Sequence, residues 1–203
     1  PTYEKEEGEK AGDSISYMTL IKNKYTHLYF LGIFCYVGIE QGVGNWISQF
    51  LQEYHQIDPQ TFGANTVAYF WAMLTIGCIL GLVLLKIFDS RKVLVGTTGI
   101  TIVCLFFALL GNSSISLFAF PMLGFFISVM WPIIFSLGLN SIKNHHGSLS
   151  GILCTGIAGG AILPFLIGVI GEITSIKTAL FFIMIPLLFI LSIGFWAKPL
   201  ITN

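Results

Sequence analysis

The sequence predicts an all-α membrane protein of six transmembrane helices, and three observations carry that prediction. Hydrophobic residues make up 55% of the 203 and charged residues 10%, with a mean hydropathy of +0.83, far from the roughly 25% charged of a soluble domain. The chain divides into six apolar segments of about 18 to 27 residues, each near the length that crosses the hydrocarbon core. With both ends on the cytoplasmic side, Lys22, Lys24, Lys86, Arg91, Lys92, Lys143 and Lys198 fall inside and only Lys177 falls outside, as the bias of basic residues toward the cytoplasm requires. Ten basic residues balance ten acidic ones, so net charge gives no pointer to nucleic acid.

Residues 1–24 come first and are read as a cytoplasmic linker. Their opening, "PTYEKEEGEKAGDSIS", is too polar to bury and too short to fold alone. It also lacks a basic n-region and a small-residue cleavage site, so it does not read as a signal peptide. A chain that opens in such a stretch suggests a preceding segment. The six-helix bundle occupies 25–203, with spans expected at 25–51, 64–85, 93–110, 115–139, 149–170 and 179–197. The loops between them are short, which predicts sequential neighbours in one compact bundle. No strong internal repeat is visible.

The first span holds the most informative stretch, "CYVGIEQGVGNWISQF". At 100° per residue, Gln41, Asn45, Ser48, Gln49 and Gln52 share one arc, with Ile39, Val43, Trp46 and Phe50 opposite. Glu40 lies at the edge of the polar arc. A carboxylate at mid-bilayer costs several kcal/mol unless paired, solvated or protonated. No Lys, Arg or His stands at comparable depth in these spans, so its partner is expected to be water, a proton, a substrate or a group outside this chain. An amide-rich face with a carboxyl suits a polyhydroxylated ligand; an amide cluster bonding neighbouring helices is the structural alternative.

In the second span, Tyr69 and Trp71 offer stacking surfaces for a sugar ring. "KIFDSRK" follows, where Asp89, Arg91 and Lys92 act either as a gating clamp or as topology determinants. The fourth span contains "MWPIIFSLGLN", which sets Trp131 beside a helix-breaking proline at mid-membrane, where backbone opens toward a cavity. The fifth, "SGILCTGIAGGAILPFLIG", carries Gly151, Thr155 and Gly159 on one small-residue ridge and Gly156 with Gly160 on a second. Both predict close helix packing, and Pro164 predicts a bend. Cys35, Cys78, Cys104 and Cys154 fall one to a span and read as small membrane packers. His145 and His146 lack supporting ligands, so no metal site is expected, and no catalytic motif or cofactor signature occurs. The chain is not read as an enzyme.

Taken in order, "YVGIEQGVGNW", "TFGAN", "KIFDSRKVL", "WPIIFSLGL" and "GGAILPFLIGVIGE" resemble the carboxy-terminal half of the fucose:proton symporter family of the major facilitator superfamily, which includes bacterial glucose/galactose members. The resemblance runs over 25–197. It implies one six-helix half of a twelve-helix transporter in the cytoplasmic (inner) membrane, sugar held between the halves, and alternating access by rocking. It also implies symport of a hexose with a proton, or sodium, and an amino-terminal six-helix half as partner. By position, Glu40 and Gln41 match a polar pair of the family and Trp131 an aromatic of its sugar cavity; Asn45, Gln49 and Tyr69 join them as candidate substrate contacts on the reading above. Family members often have Arg where this chain has Cys78, and Leu74 replaces an aromatic of the fucose transporter. The competing reading is a non-transporting six-helix protein acting as a receptor or assembly partner.

Overall fold

The computed structural model describes residues 14–142 and 145–198, and its regular elements there are helical, with no strand among the described residues. A short helix, α1 (Ser14–Ile21), lies within the stretch expected to be linker and buries Leu20; residues 1–13 lie outside the described residues. It is followed by α2 (Lys24–His55), which is 32 residues long. A π-helical turn at Pro59–Gly63 leads into α3 (Ala64–Ile87), α4 (Ser90–Leu110), α5 (Ser113–Ile127) and α6 (Met130–Asn140). The chain then forms α7 (His146–Thr155), a 3-10 turn at Gly156–Ala158, α8 (Gly159–Ile173), α9 (Ile176–Phe181) and α10 (Met184–Trp196).

Among the described residues five runs are long and apolar enough to cross a membrane: Pro59–Ile87, Ser90–Leu110, Ser113–Asn140, His146–Ile173 and Ile176–Trp196. Six spans were expected. The sixth is α2, longer than any of these, whose hydropathy Glu40, Gln41 and Asn45 dilute. Local chemistry sets the boundaries. Asn23 accepts from Tyr25 N–H at 2.9 Å to open α2, Asn112 from Ile115 N–H at 3.0 Å to open α5, and Ser175 from Thr178 N–H at 3.2 Å to open α9. Each such cap stabilises a helix end by about 1 kcal/mol. Gln56, left-handed at φ 55°, closes α2 by returning its N–H to Gln52 and Leu51 carbonyls, in the manner of a left-handed C-terminal cap.

Three spans are interrupted. Proline offers no N–H to the carbonyl four residues back, and two breaks fall at those carbonyls: Ser128 before Pro132, and Phe182 before Pro186. The Phe182 carbonyl is recovered by Ile185 N–H at 3.1 Å. The fifth span departs from expectation, because its irregular turn is at Gly156–Ala158 and Pro164 sits inside regular helix.

The expectation of sequential neighbours holds for the third and fourth spans, where α4 packs closely on α5, and fails for the second and third, since α3 and α4 barely touch; the other close pairs are α2 with α8 and α3 with α5. Exchanging the first three spans for the last three turns the first-with-fifth pair into the fourth-with-second pair, a correspondence that two three-helix repeats would give. α2 is central, touching α3, α5, α6, α7, α8, α9 and α10. Gly156, Gly159 and Gly160 let α8 and the preceding turn approach it; a methyl on Gly159 would overlap the Phe34 carbonyl. The packing ridge is therefore made by these three, while Gly151 and Thr155 are exposed and belong to no such contact, since the 3-10 turn rotates them away from α2.

Candidate functional site

α2 divides as its sequence periodicity requires. Ile39, Val43, Ile47 and Phe50 are buried against the bundle. Asn45, Gln49 and Gln52 are exposed, and Glu40, Gln41 and Ser48 are half-buried. Ser48 donates to the Pro59 carbonyl at 3.3 Å, securing the π-helical turn, and Trp46 Nε1 donates to the Pro164 carbonyl at 3.1 Å, tying α2 to α8. Gln41 lays its stem over Gly160 of α8.

Glu40 sits near the midpoint of α2 with neutral company. The buried Tyr36 lies one turn earlier on the same side of α2, and Cys78 of α3 stands at the same level. No basic side chain joins them; the one ion pair among the described residues is Asp89 with Arg91, at 3.6 Å. Cys78 is no packer. It is exposed, and its thiol donates to the Ser128 carbonyl at 3.5 Å.

The aromatic candidates separate. A Cβ on Gly138 would meet Tyr29 at 3.3 Å and one on Gly32 would meet Ile134 at 3.0 Å. Continuing this antiparallel register by a turn sets Trp131 level with Tyr36. Trp131 stacks on Phe135, centroids 4.9 Å apart and planes 12° apart, which leaves it half-buried. Trp71 reaches Gly44, where a Cβ would lie 3.0 Å from its ring, and meets Phe70 edge-on at 5.3 Å. Tyr69 is 61% exposed. Nine residues before Cys78, it points from the opposite side of α3, since nine steps of 100° make half a turn beyond whole turns. The structure therefore brings Trp71, rather than Tyr69, to the polar face of α2.

The "KIFDSRK" residues form a separate constellation. Asp89 caps α4, accepting from Arg91 and Lys92 N–H at 2.9 and 3.3 Å. Arg91 Nη1 donates to the Ala197 carbonyl at 3.4 Å, joining the start of α4 to the end of α10. Lys92 is exposed.

Residues 29–201 match the family model of the Major Facilitator Superfamily. The chain is 35% identical over 164 residues to a glucose/galactose transporter of Brucella abortus, covering 77% of this chain and 39% of that protein. It is 31% identical over 185 residues to a putative glucose/galactose transporter of Helicobacter pylori, covering 88% and 45% respectively. Its fold superposes on the crystal structure of the Escherichia coli fucose:proton symporter with a TM-score of 0.84 at 22% identity, over 95% of this chain and 48% of that one. The chain thus spans less than half the length of these relatives.

Proposed function

Because the chain belongs to the Major Facilitator Superfamily, we propose that it forms the carboxy-terminal half of a sugar transporter that carries a hexose across the cytoplasmic membrane with a coupling proton by alternating access. The observation that carries this reading is the open polar face of α2, where Asn45 and Gln49 are exposed beside half-buried Glu40 and Gln41. Amides and a carboxyl offer the directional hydrogen bonds that sugar hydroxyls need, and Trp131 and Trp71 flank them with ring faces. The named relatives that transport glucose or galactose support the substrate class. An amino-terminal six-helix half completes the cavity, and the end bearing Lys86 and Arg91 faces the cytoplasm.

Glu40 and Gln41 bind the sugar, and Glu40 is the group here that can also take up a proton, while Asp89, Arg91 and Lys92 brace the cytoplasmic end during rocking. The test is uptake of glucose, galactose and fucose into liposomes by the complete protein, with and without a proton gradient and with sodium exchanged for potassium. Glu40→Gln lowers uptake or flattens its pH dependence with insertion intact, and Trp131→Ala weakens sugar binding. Uptake of no sugar by a correctly inserted protein would favour the receptor or assembly role.

A further inference from the structure

The break in the fourth span frees carbonyls that regular helix would satisfy, and two of them find a side-chain donor. Ser128 Oγ donates to the Phe125 carbonyl at 2.7 Å. The Ser128 carbonyl, four residues before Pro132, receives the Cys78 thiol from α3. A carbonyl freed at membrane depth needs a donor from protein or from a water-lined cavity, and here a protein side chain supplies it. The approach is close: a methyl on the adjacent Gly77 would overlap Ser128 Oγ and the Phe125 carbonyl. Two turns along α3 from Trp71, which packs on Gly44, Cys78 stands level with the Tyr36–Glu40 turn of the antiparallel α2. One side chain therefore links the level of the mid-membrane carboxyl to the irregular turn from which α6 starts, one residue before Trp131.

We propose that Cys78 is a positioning residue, holding the Ser128 carbonyl freed by Pro132 and so tying the surroundings of Glu40 to the turn that aims Trp131. The proposal rests on the transport reading above. It explains why α3 presents a small polar hydrogen donor here, flanked by glycine, rather than another aliphatic side chain.

The experiment is a double-mutant cycle on the complete protein in liposomes, with Cys78→Ala, Cys78→Ser, Pro132→Ala and Cys78→Ala/Pro132→Ala. Turnover and sugar KM are measured across a pH series, and thermal unfolding is followed in parallel. Cys78→Ala lowers turnover roughly fivefold, the scale of one lost hydrogen bond, moves the pH profile and leaves KM within about twofold. Cys78→Ser keeps a donor and restores wild-type behaviour. Pro132→Ala returns an N–H to the Ser128 carbonyl, so Cys78→Ala has no further effect in that background, in turnover or in unfolding. Additive losses, or equal behaviour of the alanine and serine variants, overturn the proposal. If Cys78→Ala does not accumulate, recovery by Pro132→Ala supports the link and failure of recovery overturns it. If wild type carries none of the sugars, the transport reading fails, and the unfolding cycle alone decides whether thiol and proline act on one carbonyl.

Discussion

Ser116 spends its hydroxyl proton on the Ala108 carbonyl at 2.8 Å, so toward His55 Nε2, 3.0 Å away, it acts as the acceptor. That fixes the proton on Nε2 and leaves Nδ1 as the site that titrates. Partial burial, and then the charge of Lys177, hold the His55 pKa below its ordinary value. A histidine whose folded pKa is lowered favours its neutral form, so its share of stability is complete above the unfolded value of about 6.5 and is lost as pH falls below it. Thermal stability of the intact protein is expected to be level from about pH 8 to 7 and to decline toward pH 5. His55→Gln, which retains a donor for Ser116, flattens that decline; an unchanged slope assigns it to other groups. Lys177 also lies over the Tyr54 ring, 5.2 Å from its centroid, so this rim joins α2, α5 and α9 by contacts of single residues.

At the scale of the helix, the contact of α8 with α2 depends on the absence of side chains. Gly159→Ala sets a methyl into the Phe34 backbone carbonyl, which has no rotamer by which to yield, and is expected to destabilise by about 1–3 kcal/mol. Gly151→Ala meets nothing nearer than the Tyr17 hydroxyl at 3.4 Å and is expected to be neutral or slightly stabilising through helix propensity. Thermal unfolding of the two variants side by side checks this, and equal losses would remove Gly159 from the packing ridge. The same contrast explains what was legible. The polar arc of α2 follows from periodicity because that helix has two unlike faces. α3 is apolar all round, so no pattern orients it, and Tyr69 and Trp71, two residues apart, were indistinguishable until packing turned one toward Gly44. The Cys78–Ser128 contact joins residues fifty apart through a proline effect on a third helix. Sequence displays Pro132, and only the fold shows which donor meets the carbonyl it frees.

The bundle as a whole is organised around a helix that is not apolar enough to qualify as a span by hydropathy alone, although it touches nearly every other element. Such a helix is stable in a bilayer when its polar face meets protein or water instead of lipid. On the polar arc of α2 the exposed side chains are the amides Asn45, Gln49 and Gln52, while one exposed side of α3 is lined by Ile76, Leu80, Val83 and Ile87 together with Tyr69. Only the first surface suits a hydrated cavity. In the complete protein with Cys35, Cys104 and Cys154 replaced by Ala and Cys78 by Ser, single cysteines at Asn45, Gln49 and Tyr69 distinguish the two faces. A water-soluble maleimide should label Asn45→Cys and Gln49→Cys, and saturating transported sugar should slow that labelling. Tyr69→Cys should react slowly and without regard to sugar, because it faces lipid or apolar protein. Sugar protection at Tyr69 with none at Asn45 or Gln49 would move the binding face from α2 to the far side of α3, and the role given to Glu40 would go with it.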